Sequence, residues 1–257
     1  MNIIVYIKQT FDTEAKIVLD GSGKIDANGV NLIINPYDEY AIEEGIRLKE
    51  KLGGEVTVVS MGGTRAQEAI RTALAMGVDK GILVTDPALE NSDECNNAEI
   101  LAKAISQVPY DIILTGRIAI DDGASQIAVR LAEILNVPSI TSVLKLEVTE
   151  TQATATREID GGTEVIEVSL PVVVTAQKGL NDPRYPSVAG IMKAKKKPLK
   201  TMALADLGLS AGDIALKMNV DKISLPTARQ GGRKIPGEPA QAAQELARLL
   251  REEAKVL

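Results

Sequence analysis

The chain has 257 residues, 45% hydrophobic and 25% charged, enough for one large globular domain or a domain with a substantial tail. Its net charge of −6 argues against general nucleic-acid binding, which needs a basic surface to displace counterions. The absence of histidine excludes His-based acid–base catalysis and a Ser-His-Asp triad, and the single cysteine, Cys95, excludes an internal disulfide or a thiolate metal cluster.

Met1 leads directly into the apolar run Ile3–Ile7, which reads as a buried strand. No stretch reaches the roughly 18–20 apolar residues of a membrane helix. The expectation is a cytoplasmic protein with no signal peptide and no direct membrane insertion. Glu39–Leu52 has the spacing of an amphipathic helix closed by Gly53-Gly54. There follow a strand at Glu55–Met61, a helix at Thr64–Met76 closed by Gly77, and a strand at Lys80–Thr85. A helix at Asn96–Gln107, a strand at Asp111–Thr115 and a helix at Ser125–Leu135 complete the alternation.

Strands alternating with helices of this length predict an α/β fold: an open, mostly parallel sheet with helices on both faces. From about residue 139 the texture changes. Val143–Val148, Ala153–Ile159 and Glu164–Leu170 are separated by short polar turns and read as added antiparallel hairpins. Pro171–Ala176 is expected to rejoin the main sheet. A basic run after Ile191 leads into an irregular stretch to about Pro239, then an amphipathic helix at Ala240–Lys255. The expected division is an α/β domain over 1–200 and an extended C-terminal arm with a helix over 201–257.

Ligands of open parallel sheets bind outside the carboxyl ends of the strands. That rule selects three turns: Asn35–Asp38, Ser60–Thr64 and Gly116–Gln126. In GRIAIDDGASQ, Gly116 and Gly123 permit close backbone approach and Ser125 lies near a helix start, where free amides and the dipole favour a phosphate. An ordinary capped loop is the competing reading, and Asp121 and Asp122 favour phosphate only if their side chains turn away. No Walker sequence and no G-x-G-x-x-G after a strand is present. Asp38 reads as a helix N-cap with Pro36 before it, and the Tyr37 ring suits stacking.

Glu43/Glu44 and Glu252/Glu253 read as solvated surface charge, and so does KAKKK at Lys193–Lys197. Leu180–Pro186 (LNDPRYP) is rigid, polar and turn-rich, the character of a loop presented to a partner.

These segments together resemble the electron-transfer flavoprotein beta-subunit family. The most specific match is LNDPRYPSVAGIMKAKKK at Leu180–Lys197. Asn35-Pro36 before AIEEGIRLKEK, IRTALAMGVDKG at Ile70–Gly81, GRIAIDDGASQ at Gly116 and REIDGG at Arg157 extend it over most of the chain in the family's order. The resemblance implies a fold like the adenine nucleotide alpha-hydrolases. It implies a heterodimer with an alpha subunit that holds most of the FAD site. It also implies an AMP buried in this chain by Tyr6, Asn35, Pro36, Tyr37, Asp38, Met61, Gly116, Arg117, Asp121, Asp122, Gly123, Ala124, Ser125, Gln126 and Ile127.

By the same resemblance, Asn181, Pro183, Arg184, Tyr185, Val188, Ile191, Met192, Lys193 and Lys196 form or flank a recognition loop for acyl-CoA dehydrogenase-type donors. Where the family often has Leu-Pro as its apolar anchor, this chain has Val188-Ala189. Glu158 matches an acidic residue that modulates docking of the flavin domain, and Tyr37 an aromatic position near the flavin. A quinone-side oxidoreductase would accept the electrons. The implied role is that of an electron carrier rather than an enzyme. One alternative is a bifurcating subunit that binds a second FAD in place of AMP and oxidises NADH. Another, from a different class, is a stand-alone adenine-nucleotide-binding module.

Overall fold

The structure is a computed structural model describing residues 1–228 and 231–257; residues 229 and 230, within the expected irregular stretch, lie outside the described residues. Short runs of Ile and Val between glycine-bearing turns make buried parallel strands, because β-branched side chains pack well on a pleated surface covered on both sides. The strands are β1 Asn2–Ile7, β2 Gln9–Phe11, β3 Leu32–Ile34, β4 Glu55–Met61, β5 Lys80–Val84, β6 Ile112–Gly116, β7 Ser139–Val148, β8 Gln152–Ile159, β9 Gly162–Ser169, β10 Val172–Ala176 and β11 Leu199–Met202. The α-helices are α1 Pro36–Leu52, α2 Ala66–Met76, α3 Glu94–Ile105, α4 Ile127–Leu135, α5 Val188–Ala194 and α6 Pro239–Glu252.

Among the described residues nine strands form one sheet in the order β11-β5-β4-β1-β6-β10-β7-β8-β9. Every pairing from β11 through β7 is parallel, and only β7/β8 and β8/β9 are antiparallel. The strand β10 re-enters the sheet between β6 and β7, as Pro171–Ala176 was expected to do.

The two-residue alternation of β1 assigns the layers. Ile3, Val5 and Ile7 belong to a core shared with residues of α1 and α2, such as Ile42, Ile46, Ile70 and Leu74. Ile4 and Tyr6 face a second core with Ile100, Leu101 and Ile105 of α3 and Leu131 of α4. Helices therefore cover both faces.

Several boundaries differ from expectation. The helix expected at Glu39 begins at Pro36, because proline at the first helical position loses no hydrogen bond that the helix would have made. The helix expected at Asn96 begins at Glu94, since Asp93 accepts the Asn96 amide at 2.9 Å and is the true cap. Within Leu180–Lys197, Val188–Ala194 is a short helix capped by Ser187, whose Oγ accepts from the Gly190 amide. The antiparallel ribbon of β2 and β3 and the edge strand β11 were not expected, being three or four residues long.

The chain forms two compact units, residues 1–16 with 27–221 and residues 17–26 with 222–257. This grouping differs from the expected division at residue 200, which falls inside β11. In the smaller unit a bridge joins Leu19 and Ile25, and Arg248 of α6 pairs with Glu245 and Glu252 on its own helix. No helix among the described residues is long and apolar enough to cross a membrane.

Candidate functional site

At the carboxyl ends of β1 and β6 lies a cavity of ≈ 190 Å³, where the strand-end rule places a ligand. Its walls include Tyr6 and Lys8 at the end of β1, Asn35 and Asp38 at the start of α1, Thr115 to Ala119 at and beyond the end of β6, and Asp122 with Ala124 to Ala128 entering α4. Ser92, Glu94 and Asn97 close it from the start of α3.

Asp38 ties this corner together. Its Oδ2 accepts the Lys8 amide at 2.7 Å and its Oδ1 the Gly116 amide at 2.9 Å, joining the end of β1 to the end of β6. Asn35 pins the loop beyond: its Nδ2 donates to the Ile118 carbonyl at 2.9 Å, and its Oδ1 accepts from the Ile120 amide at 3.2 Å. Asp38 is therefore not the helix cap expected from the sequence. The earlier start at Pro36 puts Asn35 at the cap position, without a side-chain cap bond, and leaves the Asp38 carboxyl to bind neighbouring strand ends.

Burial pushes the Asp38 carboxyl up to about 7, against the lowering effect of the bonds from Lys8, Asn35 and Gly116. Tyr6, buried beside it, is raised by desolvation and then by Asp38, Asp122 and Asp121, so its phenol stays protonated. Lys8 Nζ bridges Asp121 at 2.9 Å and Asp122 at 2.6 Å. Burial opposes its charge, but the two carboxylates outweigh burial and raise the ammonium above its ordinary range. Both aspartates are thus paired with Lys8, whose single charge offsets one of their two.

The loop is strained where it meets the cavity. Ser125 has φ of 53°, in the left-handed region, and its Oγ donates to the Arg117 carbonyl at 3.1 Å. Backbone strain of this kind costs about 1–3 kcal/mol and clusters at functional sites.

Of the residues expected at the nucleotide, the cavity gathers Tyr6, Asn35, Asp38, Gly116, Arg117, Asp122, Ala124, Ser125, Gln126 and Ile127. Pro36, Tyr37, Met61, Asp121 and Gly123 do not line it. Tyr37 is half-buried, and Met61 packs at the edge of the second core. Lys8, Ser92, Glu94, Asn97, Thr115 and Ala128 line it and were not singled out from the sequence. A signal existed for the group on α3: the turn after β5 is also at the carboxyl edge, and the same rule selects it.

The segment over Asn181–Lys196 lies elsewhere on the larger unit. Tyr185 is 93% exposed, Val188 82% and Met192 61%, with Ile191 beside them, an unusual density of exposed apolar side chains. Pro183 is half-buried, whereas Lys193 and Lys196 are exposed. Asn181 is buried and Arg184 is held by carboxylates, so both turn inward. Glu158, exposed on β8, accepts from Gln177 Nε2 at 2.7 Å.

The reading of Glu43 and Glu44 as solvated charge is corrected. Glu43 is 3% exposed and Glu44 7%, because the LNDPRYP segment covers this face of α1. Sequence periodicity describes a helix's own faces and gives no warning that a distant loop will lie over a charged one.

Comparison with known proteins agrees with this architecture. A family model described as the electron transfer flavoprotein domain matches residues 22–207. The electron transfer flavoprotein subunit beta of Bacillus subtilis (strain 168) is 49% identical over 258 residues, covering 100% of both chains. That of Syntrophomonas wolfei subsp. wolfei is 48% identical, covering 100% of this chain and 98% of the relative. That of Sus scrofa is 38% identical, covering 100% and 99%. Identity of this extent, end to end and across bacteria and a mammal, shows that the chain belongs to the electron transfer flavoprotein family, as a beta subunit.

Proposed function

We propose that this subunit holds one AMP in the cavity beside β1 and β6, as a structural nucleotide. Paired with an alpha subunit, it would present a docking surface to flavoprotein dehydrogenases. The observation that carries the AMP reading is Asn97. Asn97 lines the cavity, and its Oδ1 is buried without a hydrogen-bond partner in the protein. A buried acceptor left unpaired costs about 1–3 kcal/mol, so a ligand donor is the natural partner. An adenine amino group or a ribose hydroxyl supplies one.

The other walls suit the rest of the nucleotide. Ile127 and Ala128 begin α4, and first-turn amides have no acceptor within their own helix. Together with the helix dipole they would hold the phosphate, with Ser125 and Gln126 alongside. FAD, held mainly by the alpha subunit, supplies the redox chemistry when bound. The residues here position and dock, and the apolar cluster of Tyr185, Val188, Ile191 and Met192 is the surface proposed to meet an acyl-CoA dehydrogenase-type donor.

The test is AMP binding by the nucleotide-stripped heterodimer, followed by calorimetry. Asn97→Leu, which removes the acceptor, should weaken AMP at least about tenfold, the equivalent of one lost hydrogen bond of about 1.4 kcal/mol. Unchanged affinity in this variant would remove Asn97 from the site and the main support for the reading.

A further inference from the structure

The proposed docking segment is clamped at both ends by bonds to α1 and α2. At its start, Arg184 forks across two carboxylates of α1. Its Nε and backbone amide donate to Glu43 Oε2 at 2.8 and 3.1 Å, and its Nη2 to Glu43 Oε1 at 3.1 Å. Its Nη1 reaches Glu50 Oε1 at 2.7 Å. Arg47, one helical turn from Glu43, donates to Glu43 Oε1 at 2.7 Å. Burial would raise the Glu43 carboxyl, but Arg184 and Arg47 hold it below its ordinary range. Beside it, Asn181 Nδ2 donates to Glu44 Oε2 at 2.9 Å and to the Tyr40 carbonyl at 3.0 Å.

At the far end, Arg71 of α2 donates to the Ala194 and Lys197 carbonyls at 2.7 and 3.1 Å, satisfying the free end of α5. Lys197 in turn donates to the Leu74 and Val78 carbonyls at the end of α2. Between the clamps α5 lies so close to α2 that a Cβ on Gly190 would collide with the Ala75 carbonyl oxygen. Glu43, Glu44 and Asn181 are buried, while Tyr185, Val188 and Met192 are exposed.

We infer that Glu43 is a positioning residue: acting through Arg184, it holds the segment over Asn181–Lys196 in its docking conformation before a partner arrives. This rests on the docking reading proposed above. Ordering a loop on binding costs affinity, and a loop already ordered avoids that cost. If loosening the clamp leaves about a tenth of molecules competent, the apparent affinity falls about tenfold.

The experiment measures electron transfer from a substrate-reduced acyl-CoA dehydrogenase to the heterodimer, with the heterodimer concentration varied. For Glu43→Gln the expected result is a KM raised about tenfold with kcat, flavin spectrum and nucleotide content unchanged. A role confined to folding would lower thermal stability and nucleotide content without this split. Val188→Asp, on the docking face itself, separates the two readings. If Val188→Asp raises KM and Glu43→Gln does not, docking stands and the clamp is overturned. If Val188→Asp has no effect, the docking reading falls and takes the clamp with it. Should Glu43→Gln fail to fold, Glu50→Gln removes the exposed half of the fork; a smaller rise in KM supports the inference, and an unchanged KM overturns it.

Discussion

Gly116 stands directly against Asp38: its amide donates to Asp38 Oδ1 at 2.9 Å, and any side chain there would collide with that oxygen and with Tyr37. The end of β6 meets the start of α1 without an intervening side chain. That contact brings Asn35 within reach of Ile118 and Ile120 and so fixes the loop over the cavity. Gly116→Ala is expected to destabilise the chain by about 1–3 kcal/mol, the usual cost of overpacking. Chemical denaturation gives the stability, and nucleotide content of the purified heterodimer should fall with it.

The Asp38 carboxyl titrates at about 7 in the folded chain, above its ordinary 3.8, because it is buried. In this window the folded chain binds a proton that the unfolded chain has released. The stability linked to Asp38 is thus fully present below about pH 4 and declines as pH rises toward about 7, beyond which it is flat. Asp38→Asn cannot titrate, and one of the Lys8 and Gly116 amides would lose its acceptor, at about 1–3 kcal/mol. Denaturation at about pH 5 and about pH 8 should show a steeper loss in the parent than in the variant. Equal pH dependence would show that Asp38 does not titrate in this range.

Ser125→Gly should release the left-handed strain at φ of 53°, which glycine adopts freely, while losing the bond to Arg117 and giving the unfolded chain more freedom. The expected net effect is a gain of up to about 1 kcal/mol. AMP affinity should fall at the same time if the strained turn serves to shape the site. Calorimetric melting and AMP titration read the two effects separately.

Gly190→Ala should lift α5 from α2, because the added methyl meets the Ala75 carbonyl oxygen. The cavity is built from other elements. Nucleotide content should therefore hold while electron transfer from the dehydrogenase weakens. Stopped-flow reduction of the heterodimer flavin checks this.

Much of the fold was legible in the sequence because each buried strand is a continuous apolar run and each helix carries its own amphipathic period. The strands at Ile3–Ile7, Glu55–Met61 and Asp111–Thr115 are such cases. The β2–β3 ribbon, β11 and α5 were not legible. They are short, and tertiary contacts such as the Arg71 bonds to the end of α5 hold them. Half of the site could be read because Gly116–Ile127 is contiguous with a strand end. Asn97 was missed although the strand-end rule marks the turn after β5, because only the packing of α3 beside α4 brings that turn to the same cavity. Glu43 misled for the same reason, its partner Arg184 lying far along the chain.

Counting nucleotides shows whether this subunit holds one structural AMP. The co-purified heterodimer is denatured, and released FAD and AMP are quantified by chromatography. Equal amounts of FAD and AMP per heterodimer are expected. Two equivalents of FAD with no AMP would contradict the AMP reading and place a second flavin in the cavity beside Asp38.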